Sequence, residues 1–343
     1  MNRISITGTG AVSPAGWGVE PFMQALGDGR TPEPEILCRS HAGIEVETPV
    51  LRVPKPADRS VIPKHPRLRR ASPLARYLAA AAAEALGAAR REQIAAGELR
   101  LGIICVLVNG CVNYSNRFYG EVLDDPSLAS PILFPETVFN APSSHLSALF
   151  GATGPNDTLI GDASAFFPAL ELAADWLGRG DVDACLVVGG EETDWLSAEA
   201  LRLHSRRFLP SEGAGALLLE AGTGAGAVEL AAVPDPVSVR SVGGEAEALR
   251  ELRDALGVED DGATLLVDGR CGVPRRDRHE NEAWSGWRGL RYSPLMRLGE
   301  AMGASAPWQA LAAVEAVRRG AARRSVAVYS GSRAAGMLVS QSP

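Results

Sequence analysis

The chain has 343 residues, 46% of them hydrophobic and 22% charged, a composition typical of a globular protein with a large core. Its formal net charge of −7 argues against a general nucleic-acid-binding protein, whose contact surface would be basic. The five cysteines are scattered and lack CxxC spacing, so the sequence gives no sign of a disulfide framework or a zinc site.

The start of the chain, its apolar runs and its cysteines together indicate the cellular compartment of the protein. No basic segment followed by an apolar one opens the chain, so we expect no signal peptide. No apolar run approaches the roughly 18 to 20 residues of a membrane span. Because Cys105 and Cys185 lie within apolar runs, we expect buried thiols in a reducing environment and a cytoplasmic protein.

The first predicted element is a strand at 3–7, where apolar and polar residues alternate. It ends in Gly8-Thr9-Gly10, which we interpret as a glycine turn that packs backbone closely. The following residues do not complete a GxGxxG fingerprint, so we do not expect a nucleotide site. A helix is predicted over 19–26, and the proline- and charge-rich stretch 28–66 is expected to run over the surface.

An alanine-rich helix is predicted over 72–90, because Ser72-Pro73 suits a helix cap and first turn. The basic stretch 64–70 before it has two interpretations, a solvated helix entrance or a surface that receives an acidic partner. An apolar strand at 101–107, an irregular stretch at 113–142 and a helix at 143–150 complete this region.

The centre of the sequence, residues 158–192, is predicted to be a βαβ unit. Leu159 and Ile160 form a short strand, a tight turn follows, and apolar residues at helical spacing then lead to a second strand at 184–188. A strand–turn–helix elbow of this kind is a good mount for a nucleophile. Yet the residue at the turn is Ala163, so the elbow carries no catalytic side chain.

The C-terminal part repeats the alternation of strands and helices. A glycine turn and an edge-like strand are predicted at 211–220, and the flexible stretch 221–226 marks a junction. Helices and strands then alternate at 245–256, 263–267, 308–318 and 325–329. The pattern predicts an α/β protein with two related halves, at 1–222 and 223–343.

Six stretches in collinear order resemble β-ketoacyl-acyl-carrier-protein synthases. They are ISITGTGAVSPAGWG, FPETVFNAPSSHLSALFGATGPNDT, ALELAADWLGRGDVDACLVVGGEE, SEGAGALLLE, DGRCGVPRRDRHENEA and GEAMGASAPWQALAAVEAV. The resemblance implies the thiolase fold, in which two βαβαβαββ halves stack as five αβαβα layers. It also implies dimerisation beside the nucleophile strand.

The departures from the family pattern lie in its active site. The family's nucleophilic Cys falls at Ala163, its two catalytic His fall at Asp268 and Glu300, and its Lys falls near Leu295. Active members use two neutral imidazoles to hold a malonyl thioester and to stabilise the enolate. Carboxylates at those positions would repel both groups. The GFGG gating loop is replaced by residues 330–335, so we expect condensing activity to be absent.

Other uses of these residues remain open. Ser164 could replace the nucleophile, but none of the five His (41, 65, 145, 204 and 279) falls on a catalytic position, and Ser164 also fits a helix N-cap. Asp268 and Glu300 could converge for acid–base work or a metal. Alternatively they are polar replacements paired to Arg270 or Arg333. We expect no cofactor and no metal.

The function implied is that of a chain-length factor, an inactive paralogue that pairs with an active ketosynthase and shapes its acyl tunnel. The resemblance implies an acyl carrier protein as a further partner, in polyketide, aryl polyene or fatty-acid-like synthesis by an acyltransferase-class complex. Residues expected in the acyl pocket or at the interface are Phe134, Phe139, His145, Phe150, Phe166 and Phe167. The alternatives are an acyl hydrolase or acyltransferase that uses Ser164 with Asp268 and Glu300, and an acyl-binding scaffold homodimer.

Overall fold

Helices and strands alternate along most of the chain. The structure, a computed structural model, describes residues 3–41, 43–222, 224, 226–258 and 260–342. The helices are α1 (Val19–Asp28), α2 (Pro73–Ala95), α3 (Val112–Asp124), α4 (Ala141–Phe150), α5 (Phe166–Arg179), α6 (Trp195–His204), α7 (Glu245–Leu256), α8 (Pro274–Ala283), α9 (Pro294–Leu298) and α10 (Ser305–Arg318).

The strands form one large mixed sheet and a separate hairpin. They are β1 (Ile4–Ser13), β2 (Gly16–Trp17), β3 (Glu35–His41), β4 (Ile44–Val50), β5 (Leu101–Leu107), β6 (Asn156–Ile160), β7 (Ala184–Glu191), β8 (Gly213–Ala221), β9 (Val228–Ala232), β10 (Val237–Ser238), β11 (Thr264–Val267), β12 (Arg291–Tyr292), β13 (Arg324–Ser330) and β14 (Arg333–Gln341). Strands β3 and β4 make the hairpin.

Ten of the twelve strands of the large sheet form two similar five-stranded halves, and the short strands β2 and β10 pair with β1 and β14. One half runs in the order β1-β8-β7-β5-β6, and the other runs β9-β14-β13-β11-β12. In each half the two outer strands lie parallel to their neighbours and the strands nearer the centre lie antiparallel. The halves join where β1 pairs with β9. The sequence prediction of two related halves is therefore matched strand by strand.

Three hydrophobic clusters hold together five layers, which alternate between helices and half-sheets. The central cluster includes buried residues of α5 and α10 and of both half-sheets. A second cluster packs α2 and α4 on the first half-sheet, and a third packs α7 and α8 on the second. Because α10 lies between the two half-sheets, 13 of its 14 residues are buried. This is why it is apolar on all sides rather than along one stripe.

Gly8 and Gly10 lie inside β1, so the predicted glycine turn is wrong, but the predicted close packing is right. A Cβ at Gly8 would lie 1.9 Å from the carbonyl oxygen of Ala85, and one at Gly10 would lie 1.9 Å from that of Ala81. Only glycine lets the backbone of α2 approach the strand this closely.

Two local predictions are corrected. The stretch 28–66 has many exposed residues, as expected of a surface excursion, and it contains the β3–β4 hairpin. The stretch 113–142, predicted to be irregular, contains the helix α3. Strand β8 is not an edge: β1 and β7 flank it on both sides, and this burial explains its unbroken apolar run. The predicted boundary between halves, at 222/223, adjoins residues 223 and 225, which lie outside the described residues.

The cysteine and membrane predictions can be compared directly. Cys105, Cys111, Cys185 and Cys271 are buried thiols, and Cys38 is exposed. Within the described ranges, no helix has both the length and the apolar character that crossing a bilayer requires.

Candidate functional site

The elbow at the end of β6 has the predicted strand–turn–helix geometry. A short 3₁₀ turn, Ala163–Ala165, leads directly into α5. Ala163 is 3% exposed and presents only a methyl group. The N-cap of this turn is Asp162, whose Oδ1 accepts a hydrogen bond from the Ser164 amide at 2.9 Å. The predicted N-cap role of Ser164 is therefore wrong, because Asp162 caps the turn instead.

Asp162 ties the elbow to the turn between β13 and β14. Its Oδ2 accepts the Ser332 amide at 2.9 Å, and the hydroxyls of Ser164 and Ser332 also donate to this carboxylate. Burial opposes ionisation, but these four hydrogen bonds hold the pKa of Asp162 below its ordinary value. A carboxylate of low pKa is a weak base, so the Ser164 hydroxyl has no effective base as its partner.

Asp268, at the first family His position, is fully buried at the carboxyl end of β11. The Arg270 Nε lies 2.9 Å from its Oδ2, and the Arg291 Nη2 lies 2.8 Å from the same oxygen. The Arg270 amide donates to Oδ1 at 3.1 Å. Asp268 therefore serves as the centre of a two-arginine ion cluster and has no free face for a substrate proton.

Glu300, at the second family His position, is also buried and fully engaged. The Arg276 Nη1 lies 2.6 Å from Oε2. The Met302 amide and Tyr329 Oη donate to Oε1 at 3.1 and 3.3 Å, and the Ser305 hydroxyl donates to the same oxygen. The four donors satisfy the carboxylate and fix it in place.

The arginine partners were only partly predicted. Arg270 pairs with Asp268 as expected, whereas Arg333 is exposed and forms an ion pair with neither carboxylate in the described contacts. Arg276 on α8 and Arg291 on β12 were missed. The concentration of arginines between 270 and 297 was the available signal, but it does not tell which of them face inward.

Glu280 is a further acid that sequence reasoning missed. It lies on α8, is fully buried, and neither carboxylate oxygen has a well-formed hydrogen bond among the described residues. A Cβ at Gly269 would lie 2.7 Å from its Oε1, so Glu280 sits against the backbone beside Asp268. Burial and the charge of Asp268 raise the pKa of Glu280 to about 8.

Apolar side chains fill the space around Ala163. Phe166 and Phe167 are fully buried, with ring centroids 6.4 Å apart in an edge-to-face arrangement. Leu295, near which the family Lys is predicted to fall, is 1% exposed and belongs to the same hydrophobic cluster as Ala163 and Tyr329. The two phenylalanines are therefore core residues of this chain.

The remaining predicted pocket residues lie on α4 or in the segment before it. Phe134 and Phe139 are 56% and 39% exposed. His145 on α4 is buried, and its Nε2 lies 2.9 Å from an oxygen of Glu136, so its structural role is an ion pair or hydrogen bond with that acid. Phe150 is buried at the end of α4 against the helix α2 layer.

A chain of contacts links the elbow to Glu300, and a separate contact links Asp268 to α10. A Cβ at Gly331 would lie 2.9 Å from Asp162 Oδ2 and 3.4 Å from the Tyr329 ring, and Tyr329 reaches Glu300. The carbonyl of Asp268 accepts a hydrogen bond from Gln309 of α10 at 2.8 Å. Within the part of the chain that the structure describes, no three His, Cys, Asp or Glu side chains are grouped as metal ligands.

The sequence of the N-terminal part decides the family. The model of the β-ketoacyl synthase N-terminal domain matches residues 1–225. The chain belongs to the β-ketoacyl synthase family. No curated protein sequence gives a significant match.

Solved structures of this family have the same fold. A chain of the ishigamide ketosynthase/chain length factor is 21% identical, with 98% of each chain covered and a TM-score of 0.78. A structure of a ketosynthase in complex with its chain length factor, from Xenorhabdus doucetiae, is 15% identical in sequence. The match covers 99% of this chain and 98% of that chain, with a TM-score of 0.80. A structure of a type II polyketide synthase acyl-carrier protein in complex with its ketosynthase is 17% identical in sequence. The match covers 100% of this chain and 99% of that chain, with a TM-score of 0.76. The ketosynthase-like chain thus has the thiolase fold expected from its sequence.

Proposed function

We propose that this protein is a catalytically inactive ketosynthase-like subunit, a chain-length factor that pairs with an active ketosynthase. The observation that carries the proposal is the state of the three family catalytic positions. Ala163 offers no nucleophile, and Asp268 and Glu300 are buried in ion pairs with arginines. A malonyl group would meet two carboxylates instead of two imidazoles, which opposes enolate formation.

The free edge of the sheet supports a partner subunit. β6 pairs only with β5 in the described sheet, and Ile160 at its end is 59% exposed. The segment leading into α4 adds exposed apolar side chains, and α4 contacts β6 through a 2.9 Å hydrogen bond between Ser143 and Thr158. These exposed residues are Tyr119, Leu123, Leu128, Ile132, Phe134, Val138 and Phe139. Exposed apolar side chains and an open strand edge are each characteristic of an interaction site.

The basic stretch 64–70 supports an acidic carrier protein as a further partner. Lys64, Arg67, Arg69 and Arg70 are exposed on a chain of net charge −7. Electrostatic attraction between such a patch and an acidic protein speeds association. A similar solved structure is described as an acyl-carrier protein with its ketosynthase. The synthesis it serves is proposed to be of the polyketide, aryl polyene or fatty-acid-like class.

Tunnel shaping is assigned to the exposed aromatics and not to the buried ones. Phe134 and Phe139 belong to the proposed partner surface, whereas Phe166 and Phe167 are buried core residues of this chain. Rings from one subunit that project into the partner's tunnel would set the length of the acyl chain. We therefore expect Phe134→Ala to lengthen the product of the paired complex.

The experiment is co-expression with a paralogous ketosynthase that retains Cys, His and His. The expected result is a stable complex that makes product, while this chain alone neither decarboxylates malonyl-carrier protein nor gains acyl mass. Intact-protein mass spectrometry that finds an acyl adduct on Ser164 would support the hydrolase or acyltransferase alternative. Failure of every such paralogue to bind would leave the scaffold homodimer as the better account.

A further inference from the structure

The open edge strand β6 has a polar start and an apolar end. Asn156 and Asp157 are exposed, Leu159 is half-buried against the core, and Ile160 is 59% exposed. The Asp157 carboxylate forms no hydrogen bond or ion pair in the contacts that the structure describes, so its charge is not compensated within its own chain. Unpaired backbone groups on such an edge favour pairing with another strand.

If the β6 strands of two copies paired antiparallel, the polar start of each strand would face the apolar end of the other. In the register that pairs all five residues, Thr158 lies on the two-fold axis, and residue 157 of one copy faces residue 159 of the other. Each Asp157 carboxylate would lie beside Leu159 of the second copy. The two Asp157 side chains would be diagonal neighbours, about 7 to 8 Å apart, and would repel each other.

We infer that the β6 edge selects a different chain over a second copy. The selected strand carries Arg or Lys opposite or diagonal to Asp157, and apolar side chains opposite Leu159 and Ile160. The inference rests on the proposed function, which supplies a paralogous partner, and it adds the chemistry that recognises this partner. Asp157 is the repulsive element against self-pairing, and the apolar end is the attractive element.

The first test changes residue 157. Because this residue is exposed, its substitution should leave the fold intact. Analytical ultracentrifugation compares the full-length wild type with Asp157→Leu and with Asp235→Leu, a control at an exposed aspartate between β9 and β10. Asp157→Leu is expected to self-associate at least about tenfold more tightly than the wild type, a change that corresponds to 1.4 kcal/mol. Asp235→Leu is expected to behave like the wild type.

The second test supplies the missing cation. Wild type and Asp157→Lys are mixed in equal amounts and analysed by native mass spectrometry, with a tag on one chain to separate the masses. The mixed dimer is expected to exceed its random proportion about threefold or more, because Asp157 and the new ammonium are diagonal neighbours. The excess should shrink as salt is raised, since the two groups are partly exposed.

Two outcomes would overturn the inference. One is wild-type self-association as tight as that of Asp157→Leu, and the other is random mixing of wild type with Asp157→Lys. Both measurements use this chain alone. A failure of the proposed function would instead appear as acyl transfer by this chain or as absence of binding to active paralogues, so the two failures are distinguishable.

Discussion

The partly buried Arg276 and the buried Glu300 form an ion pair at the position predicted to match the family's second catalytic histidine. The Nη1 of Arg276 lies 2.6 Å from Oε2 of Glu300, and its guanidinium carbon lies 4.5 Å from the centre of the Tyr329 ring. A charged pair therefore occupies the position where the sequence predicts the family's neutral imidazole, and each charge needs the other for its stabilisation.

Removing one partner of this pair should destabilise the fold strongly. Arg276→Met leaves the Glu300 carboxylate buried without its cation, and we expect a loss of about 3 to 5 kcal/mol in the free energy of unfolding. Urea denaturation measures the loss. The double variant Arg276→Met/Glu300→Gln should recover part of it, because no charge is then left unpaired.

A surface pair provides the matched control. Arg179 and Asp181 lie 2.9 Å apart with exposed side chains. Asp181→Asn should cost less than about 1 kcal/mol, since water already solvates both groups. Equal losses at the buried and the surface pair would contradict the structural role assigned to Arg276.

Glu280 should make the protein less stable as the pH rises. Its pKa is raised from 4.5 to about 8 by burial and by Asp268, so the folded state holds this proton more tightly than the unfolded chain does. Its stabilising contribution is complete below pH 4.5 and is lost as the pH rises towards 8. Glu280→Gln mimics the protonated acid and should flatten the stability profile in this window. Glu282→Gln, an exposed change on the same helix, should leave the slope unaltered.

The stabilisation that Asp162 provides through its hydrogen bonds to Ser164 and Ser332 should depend on pH in the direction opposite to that of Glu280. Because hydrogen bonds to Ser164 and Ser332 lower the pKa of Asp162, its contribution is present at neutral pH and is lost as the solution becomes acidic. Asp162→Asn should cost about 1.5 to 3 kcal/mol at neutral pH and speed hydrogen exchange at the Ser332 amide. Asp125→Asn alters a similar pair of hydrogen bonds, from the Ser127 amide and hydroxyl, at the surface. A loss of stability as large as that of Asp162→Asn would contradict a special role for Asp162 in joining the elbow to the β13–β14 turn.

Gly8 should not tolerate a side chain. Gly8→Ala would place a Cβ 1.9 Å from the Ala85 carbonyl oxygen, and we expect a loss of at least about 3 kcal/mol or failure to fold. Gly178 in α5 has open space around its Cβ position, so Gly178→Ala should stabilise by up to about 1 kcal/mol. Thermal denaturation of both variants checks the contrast, and a well-folded Gly8→Ala would refute the close packing of α2.

Restoring the missing thiol should not restore catalysis. Ala163→Cys adds only one atom at the elbow, but Asp268 and Glu300 remain as carboxylates where the reaction needs imidazoles. We expect no decarboxylation of malonyl-carrier protein. Product analysis and intact mass measure the outcome, and turnover by this single variant would show that the carboxylates do not block the chemistry.

The fold is predicted correctly from the amino-acid sequence, and the sequence also predicts that the family's catalytic residues are absent. Helical and strand periodicity repeats in both halves, and the six collinear stretches are enough to locate the elbow. Absence of a nucleophile at Ala163 is a property of one residue in a recognisable local motif, so no long-range information is needed.

Local patterns mislead where the answer depends on distant backbone. Gly8 and Gly10 look like a turn until α2 is packed against them, and β8 looks like an edge until β1 and β7 pair with it. Helix α3 has a single buried residue, so its sequence resembles that of a surface segment rather than that of a core helix.

Tertiary contacts supply the ion-pair partners of Asp268 and Glu300 that the sequence does not predict. Their partners Arg291 and Arg276 lie 23 and 24 residues away and reach them through the parallel pairing of β11 with β12 and through the placement of α8. An ion pair requires contact within a few ångströms, and sequence spacing does not encode contact across separate elements. The same packing buries Glu280 beside Asp268, and this environment converts an ordinary glutamate into one with a raised pKa.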